Sequence, residues 1–278
     1  MAQDNRRPDD QRPDQDQDDH DGVTIEVIER IVEGGRAVRQ KGIYLLPNLV
    51  TTAALFFGFL AILAAMAQKW EHAAVYVFIA GVLDGLDGRI ARMTNTQSEF
   101  GAQYDSLSDA VAFGLAPGIV MFAWALNGLG KAGYAIAFIY AACAALRLAR
   151  FNVQIETSDK RYFTGLPSPA AAATVAGMVW VLNDYGVAVD RPLAILAAVV
   201  TAAAAVLMVS NVRYYSFKDL QSARVPLFAL IIAIGLVAVV QVDPPTMLWG
   251  AALLYAASGP VGALWRRLVS GRSASGHS

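Results

Sequence analysis

Four aspartates stand close together in an otherwise apolar stretch of this 278-residue sequence. Asp84 and Asp87 are three residues apart, and Asp105 and Asp109 are four apart, so each pair falls on one face of a helix. If the two helices face each other, the four carboxylates converge. Oxygen ligands without Cys or His favour Mg²⁺ or Mn²⁺ over zinc. Two such cations would stabilise both the attacking and the leaving oxygens of a phosphoryl displacement, so the sequence predicts a site for phosphoryl-group transfer.

Three residues near these aspartates suit a phosphate-containing ligand. Gly88 and Gly101 lack the side chain that would keep a nucleotide away from the helix backbone. Arg92 follows Gly88 by one helical turn and carries a guanidinium group that can bind a diphosphate at two points. Helix packing also explains each glycine, and a basic membrane anchor also explains Arg92. The aspartates have no comparable structural explanation, because carboxylates at membrane depth are costly.

The helices that carry these residues are predicted to span a membrane. Hydrophobic residues make up 56% of the sequence and charged residues 16%, whereas about a quarter of the residues in soluble domains are charged. Eight apolar runs are long enough to cross a hydrocarbon core of ~30 Å. The third and fifth carry Gly, Pro or acidic residues near one end, which leaves six or seven spans as alternatives. The runs are residues 45–66, 72–92, 104–126, 132–152, 167–184, 191–211, 225–241 and 246–264.

The two ends of the chain differ from this apolar region. Residues 1–22 are almost entirely polar and are predicted to form a disordered tail. Residues 23–42 are predicted to form a juxtamembrane segment: over 23–33, apolar and charged positions fall on opposite faces of a helix that would lie on the membrane surface. A loosely ordered linker is the alternative for this segment. Residues 43–265 are assigned to the transmembrane domain, and residues 266–278 to a second tail.

Basic residues indicate how the chain is oriented. Lys69, Lys131 and Arg191 are the basic residues on the predicted external connectors, and the internal segments hold the other nineteen of the 22 Lys and Arg. Because positively charged loops stay in the cytoplasm, we expect both termini and the four aspartates to face the cytoplasm, in a bacterial inner membrane. The single cysteine, Cys143, lies in an apolar run and cannot form an internal disulfide.

The order of the site residues resembles, without a mismatch, the signature of the CDP-alcohol phosphotransferase family. The resemblance covers about residues 45–210 and implies an all-α bundle with a six-helix core, to which this chain adds about two C-terminal spans. It also implies two divalent cations, Mg²⁺ or Mn²⁺, and a homodimer. By position, Asp84 and Asp105 would bridge both metals, Asp87 would hold the first, and Asp109 would hold the second and act as the base. The signature reads Asp84-x-x-Asp87-Gly88-x-x-Ala91-Arg92, then eight residues, then Gly101-x-x-x-Asp105-x-x-x-Asp109.

The same resemblance implies contacts with the CDP moiety. Gly88 and Arg92 match positions that contact it, and Ser98 in the spacer matches a polar nucleotide contact. Asn48 and Thr51 lie in a stretch that resembles the family's entry into its first helix, again near the nucleotide. Helix capping is the competing explanation for Asn48 and Thr51.

A second stretch indicates the alcohol that accepts the transferred group. Residues 145–152 and 163–170 resemble the corresponding region of the membrane-spanning phosphatidylserine synthases of this family, and residues 44–48 resemble their amino-terminal entry. The resemblance implies CDP-diacylglycerol and L-serine as substrates, with glycerol 3-phosphate, inositol phosphate or choline as alternative acceptors. Arg147, Arg150 and Asn152 would lie at a cytoplasmic helix end, where an arginine can hold the serine carboxylate. Simple basic anchors are the alternative for the two arginines.

Two other classes of function explain these residues less well. A cation transporter or channel would distribute acidic residues through several spans near mid-membrane, often with an internal repeat. Here the acids are clustered, and no repeat of spanning segments is visible. A non-enzymatic scaffold would leave the acids unexplained, and no feature indicates a nucleic-acid partner.

Overall fold

The computed structural model describes residues 28–33, 36–41, 45–94, 98–154, 162–215 and 240–274. The chain divides into two units, Met1–Ile43 and Tyr44–Ser278, which we describe separately. The predicted disordered tail at residues 1–22 lies outside the described residues, and so does most of the predicted seventh span at 225–241.

A β-hairpin, rather than a surface helix, is present in the first unit. Strand β1 (Ile28–Glu33) pairs antiparallel with strand β2 (Arg36–Lys41), with Glu33 opposite Arg36. The helix predicted over 23–33 is therefore wrong for residues 28–33, and residues 23–27 lie outside the described part. Two glycines connect the strands in the sequence. A Gly-Gly pair favours the tight turns of two-residue hairpins, because glycine adopts positive φ without strain.

The second unit is predominantly helical. Among its described residues there are eight α-helices. The first seven form six helical rods within the predicted core region, because a π-helical segment (Ala110–Leu115) joins α3 to α4, and α8 follows that core. A short 3₁₀ turn, Leu126–Leu129, precedes α5. Strands β3 (Tyr162–Thr164) and β4 (Arg213–Tyr215) pair antiparallel beside the helices. The helices are α1 (Leu45–Met66), α2 (Trp70–Met93), α3 (Glu99–Asp109), α4 (Ala116–Trp124), α5 (Lys131–Gln154), α6 (Ser168–Asp184), α7 (Arg191–Val209) and α8 (Pro244–Ala274).

Within the described residues, five helical segments are long and apolar enough to cross a membrane, which confirms the prediction of an all-α, polytopic membrane protein. Two further helices, α2 and α6, lie at predicted spans but are not both long and apolar enough to be counted with these five. Helix α2 contains two of the site aspartates and two arginines, which interrupt its apolar run, and α6 is only 17 residues long. The five segments are Leu46–Met66, Glu99–Trp124, Lys131–Val153, Arg191–Val209 and Pro244–Trp265.

Small side chains let the helices around the site approach closely. Many of the buried residues are alanines, as expected where membrane helices touch. A Cβ atom placed on Gly58 of α1 would lie 2.8 Å from the Cα atom of Ala112 in the π-helical segment. The two backbones are therefore in direct contact, which holds α1 against the helical turn that follows Asp109.

The π-helical segment begins immediately after Asp109. A π-helix adds one residue to a turn, so it rotates the residues that precede it relative to those that follow. The hydroxyl of Tyr140, a wholly buried residue of α5, donates a hydrogen bond to the Phe113 carbonyl oxygen inside this segment at 3.1 Å. The π-helical turn and its tyrosine partner thus help to set the direction in which Asp105 and Asp109 project.

Candidate active site

Three of the four aspartates form one cluster. Carboxylate oxygens of Asp84, Asp105 and Asp109 all lie within 4.8 Å of one another. Within this cluster, Oδ1 of Asp105 is buried without a hydrogen-bond partner among the described residues. Three acidic groups this close repel one another unless protons or cations lie between them.

The fourth aspartate, Asp87, lies beside this cluster but not in it. Its side chain is only 4% exposed. Its Oδ2 accepts a hydrogen bond of 2.7 Å from the Thr51 hydroxyl of α1, and its Oδ1 accepts one of 2.5 Å from the Gly88 backbone N–H. The Asp87 carboxylate also interacts electrostatically with Asp84 and Asp105. Two donors therefore fix its orientation next to the other three carboxylates.

A cavity of about 400 Å³ opens beside Asp87 and Asp105, between α1, α2 and the start of α3. Its wall contains all five residues for which the sequence predicts contacts with a nucleotide. One wall of the cavity is therefore acidic, and Arg92 supplies a cation to the lining. The lining residues are Pro47, Asn48, Thr51, Asp87, Gly88, Ala91, Arg92, Ser98, Gly101, Ala102 and Asp105.

The two glycines of the cavity have different surroundings. No atom of the described residues lies within 4 Å of a Cβ placed on Gly88, so helix packing does not explain this glycine. A Cβ on Gly101 would lie 3.1 Å from the Ser98 hydroxyl and 3.5 Å from the Asn48 amide oxygen. The Arg92 side chain runs back along α2, where its Nε donates to the Gly88 carbonyl oxygen at 2.9 Å.

Of three predicted nucleotide contacts that could also cap a helix, the structure shows one as a cap and two inside a helix. Ser98 caps α3, because its hydroxyl accepts a hydrogen bond of 2.9 Å from the Gly101 backbone N–H. Helix α1 begins at Leu45, so Asn48 and Thr51 lie inside it, and the capping explanation for them is wrong. The Thr51 hydroxyl instead contacts Asp87, and the Asn48 side chain lines the cavity.

Arg147 of α5 lies near the carboxylate cluster. It interacts electrostatically with Asp84 and Asp109, and its Nη1 donates to the Ser168 hydroxyl, at the start of α6, at 2.7 Å. Its Nε is buried and has no hydrogen-bond partner among the described residues. A cation with an unpaired donor is thus placed beside the acidic cluster.

The other two predicted acceptor contacts have separate partners. The Asn152 amide donates to the Ser106 hydroxyl at 3.0 Å, one residue along the chain from Asp105. Arg150 binds the end of α7, where it donates to the Val209 carbonyl oxygen at 3.2 Å and to the Asn211 side chain at 2.9 Å. The structure therefore places Arg147 near the carboxylates and Asn152 against α3, which carries Asp105 and Asp109. Arg150 instead contacts the end of α7.

Some polar residues of the site were not identified from the sequence. Ser106 is the partner of Asn152, and Ser168 is the partner of Arg147. The buried hydroxyl of Ser108 donates to the Thr51 carbonyl oxygen at 3.2 Å, which ties α3 to α1. Ser106 and Ser108 stand between the two aspartates of α3 in the sequence. This position could have identified them as residues of the site.

The described residues fit hard divalent cations. Three clustered carboxylates supply oxygen ligands without sulfur or imidazole, which suits Mg²⁺ or Mn²⁺. The buried and unpaired oxygen of Asp105 is a group that a cation would satisfy. The arrangement suits binding of a phosphate-containing ligand between the acidic cluster and the cavity.

Comparison with known proteins agrees with this geometry. The family model for CDP-alcohol phosphatidyltransferases matches residues 44–210, which include every site residue described above except Asn211. The chain belongs to this family. The resemblance seen in the signature is thereby confirmed, and the match ends before α8.

Several curated relatives from this family are similar to the chain. A protein of Helicobacter pylori (strain 26695) is 36% identical over 213 residues, which cover 77% of this chain and 90% of the relative. A Mycobacterium leprae protein is 34% identical over 156 residues, 54% of this chain and 52% of the relative. A Bacillus subtilis protein is 32% identical over 184 residues, 64% of this chain and 97% of the relative. Each is named CDP-diacylglycerol–serine O-phosphatidyltransferase.

Proposed function

We propose that this enzyme transfers the phosphatidyl group from CDP-diacylglycerol to L-serine and releases CMP. The observation that carries the proposal is the cavity of about 400 Å³ between α1, α2 and α3, whose wall joins the predicted nucleotide contacts to Asp87 and Asp105. Membership of the family and the names of the relatives support the same reaction. The acyl chains of the donor would remain in the bilayer while its CDP group enters this cavity.

The donor would be held by residues of α1, α2 and the start of α3. Gly88 leaves space for the nucleotide, and Arg92 supplies a cation for the diphosphate. Ser98, Asn48 and Thr51 contribute polar groups to the same wall. The Thr51 hydroxyl has a second task, since it holds the Asp87 carboxylate in place.

Asp84, Asp87, Asp105 and Asp109 are the residues that would hold two divalent cations, Mg²⁺ or Mn²⁺. When bound, such cations neutralise negative charge on a diphosphate and on its leaving group. The short distances within the acidic cluster and the unpaired oxygen of Asp105 support this assignment.

The reaction needs one proton acceptor and one anchor for the serine. Asp109 would take the proton from the serine hydroxyl. The serine oxygen then forms a bond to the lipid-side phosphorus while the bond from that phosphorus to the bridging oxygen breaks, and CMP departs with that oxygen. Arg147, which has an unpaired Nε beside Asp109, would hold the serine carboxylate, and Asn152 would adjoin it. Arg150 would support this region through its contacts with α7.

The site would face the cytoplasm, where CMP and serine are exchanged with solution. The distribution of basic residues supports this orientation, in which both termini would lie on the same side of a bacterial inner membrane. The enzyme would act as a homodimer, as the family resemblance implies.

The proposal is tested by measuring CMP release from CDP-diacylglycerol by the purified full-length protein. We expect release to require serine and an added divalent cation, and to be lost in Asp84→Ala and Asp105→Ala while both variants still insert into the membrane. Glycerol 3-phosphate, inositol phosphate and choline serve as comparison acceptors. Release that depends on one of these rather than on serine would contradict the assignment of the acceptor, and full turnover in EDTA would contradict the metal site.

A further inference from the structure

Two contacts fix how α5 lies against α3 and the π-helical segment. The Asn152 amide of α5 donates to the Ser106 hydroxyl of α3 at 3.0 Å. A Cβ placed on Gly114 of the π-helical segment would lie 3.2 Å from the Cβ atom of Ala144 on α5. Gly114 is eight residues after Ser106, whereas Ala144 is eight residues before Asn152. The two parts of the chain therefore run antiparallel.

Arg147 lies between these two contacts, at the level of the carboxylate cluster. The equal steps on both sides place it opposite the position two residues after Asp109, which is about 3 Å further along a helix axis. Arg147 interacts electrostatically with Asp84 and Asp109. Its Nε is buried and has no hydrogen-bond partner among the described residues. A buried donor on a charged group is costly when unpaired, and a carboxylate of the acceptor would satisfy it.

One hydrogen bond holds the guanidinium group. Nη1 of Arg147 donates to the Ser168 hydroxyl at 2.7 Å, a short distance that is typical of a charged donor. Ser168 is the first residue of α6 and is 0% exposed, so water does not compete for this bond. Because Nη1 is held and the guanidinium group is planar, the direction of the unpaired Nε is also fixed.

The backbone that leads to Ser168 is attached to the end of α7. The Leu166 backbone N–H donates to the Leu207 carbonyl oxygen at 2.9 Å. Gly165 has a φ of +82°, and a Cβ placed on it would overlap the Met208 carbonyl oxygen. Glycine is the residue that tolerates both the positive φ and this close approach. Ser168 therefore begins α6 from a fixed position.

The other partner of the hydrogen bond is attached to the same end of α7. Arg150 follows Arg147 by three residues on α5, and its Nη1 donates to the Val209 carbonyl oxygen at 3.2 Å. The bond from Arg147 to Ser168 thus joins two parts of the chain whose separation is already set by α7.

We propose that Ser168 is a positioning residue that holds Arg147 with its Nε available to the acceptor's carboxylate, so that the start of α6 helps to determine the affinity for serine. This inference rests on the proposed function, in which Arg147 binds that carboxylate. Ser168 does not line the cavity between α1, α2 and α3. Loss of its hydroxyl should therefore weaken serine binding and leave donor binding intact.

The test is Ser168→Ala in the full-length enzyme, with separate saturation curves for serine and for CDP-diacylglycerol. We expect the KM for serine to rise about tenfold, the effect of one hydrogen bond to a charged group. The KM for the CDP-lipid and the Tm should stay at their wild-type values. The matched control is Thr174→Val, which removes another buried hydroxyl of α6, one that bonds to the Ala170 carbonyl oxygen of the same helix. It should leave the KM for serine unchanged.

A second variant, Ser168→Cys, separates the hydrogen bond from the volume of the side chain. Sulfur fills the space of the hydroxyl oxygen but is a weak acceptor. The KM for serine should therefore stay raised, as in Ser168→Ala. A wild-type KM for serine in Ser168→Cys would show that Ser168 only fills space, which would overturn the inference.

A double-mutant comparison shows whether the effect passes through Arg147. In an Arg147→Ala background, Ser168→Ala should cause no further rise in the KM for serine. An unchanged KM for serine in Ser168→Ala, equal increases for both substrates, or a full tenfold effect in the absence of Arg147 would overturn the inference. A wild-type enzyme without serine-dependent CMP release would instead overturn the proposed function on which the inference depends.

Discussion

At the scale of single residues, the four aspartates have different surroundings despite their common chemistry. Asp84, Asp105 and Asp109 share one cluster, whereas Asp87 is fixed by donors from Thr51 and Gly88. Within this cluster, Asp84 and Asp109 both interact electrostatically with Arg147. Substitution at each position should therefore impair a different step.

The first prediction concerns Asp109→Asn, which keeps the shape of the side chain and removes its capacity to take a proton. We expect turnover to fall by about 10²–10⁴, the usual contribution of a positioned base, while affinity for the CDP-lipid changes far less. Lipid binding and serine-dependent CMP release are measured on the same preparations. Arg92→Ala should instead weaken affinity for the CDP-lipid more than it lowers turnover. Near wild-type turnover by Asp109→Asn would mean that another group takes the proton.

The second prediction concerns Gly88→Ala. No described atom lies within 4 Å of the new methyl group, so the protein should fold normally, and alanine favours the helix by up to about 1 kcal/mol. The methyl group would enter the cavity, and the KM for the CDP-lipid should rise at least severalfold. Gly85→Ala is the matched control, because Gly85 also has open space around it but does not line the cavity. Equal KM values for the two variants would contradict a nucleotide contact at Gly88.

At the scale of elements, the π-helical segment Ala110–Leu115 connects α3, which carries Asp105 and Asp109, to the apolar helix α4. If the same residues formed a regular α-helix, α3 would be rotated by about 100° relative to α4, because the two kinds of turn differ by one residue. The cluster of Asp84 with Asp105 and Asp109 therefore depends on this irregular turn. The close approach of Gly58 to Ala112 and the bond from Tyr140 to Phe113 both stabilise it.

The third prediction follows for Tyr140→Phe. Loss of the hydroxyl leaves the buried Phe113 carbonyl without this partner and should lower the free energy of unfolding by about 1–3 kcal/mol. Because the π-helical turn orients Asp105 and Asp109, turnover should fall more than tenfold while total helix content, measured by circular dichroism, stays constant. Tyr134→Phe is the control on the same helix, since Tyr134 is 65% exposed. Wild-type stability and turnover in Tyr140→Phe would refute a role for this bond.

At the scale of the whole molecule, the candidate active site lies towards one end of the described helices in the second unit. The continuous segment Glu99–Trp124 is 26 residues long and extends about 39 Å at 1.5 Å per residue, which exceeds a hydrocarbon core of ~30 Å. Its aspartates lie within the first 11 residues. Carboxylates near the membrane boundary can exchange cations and small substrates with water, which the middle of the bilayer would prevent.

The fourth prediction tests orientation. A reporter fused after Ser273, near the end of α8, should be located in the cytoplasm, because an even number of spans returns the chain to its starting side. A fusion within the connector at Gly128, at the opposite end of Glu99–Trp124 from the aspartates, should report the external side. Paired phosphatase and fluorescent reporters distinguish the two locations. External activity of the fusion after Ser273 would indicate an odd number of spans.

The sequence by itself predicted the acidic cluster, which brings three of the four aspartates together, and most of the helices. Long apolar runs can satisfy their backbone hydrogen bonds in a membrane only as helices or closed barrels, and aspartates at i, i+3 and i, i+4 spacing must share a helical face. These local rules suffice for the acidic cluster and for α1 to α8. The hairpin of β1 and β2 was not predicted, because the apolar and charged residues of β1 fit a helical face as well as a strand.

The tertiary structure alone decided which partner each polar group has. Thr51 contacts Asp87, Asn152 contacts Ser106, and Arg150 turns to the end of α7. These pairs are 36 to 61 residues apart in the sequence, and no local period relates residues at such separations. The hydrogen bond from Trp249 to Thr174 is the extreme case, because it joins residues 75 apart in the sequence and depends on how α8 packs against α6. Side-chain volume at the helix interfaces, down to the single missing methyl group of Gly177, determines that packing.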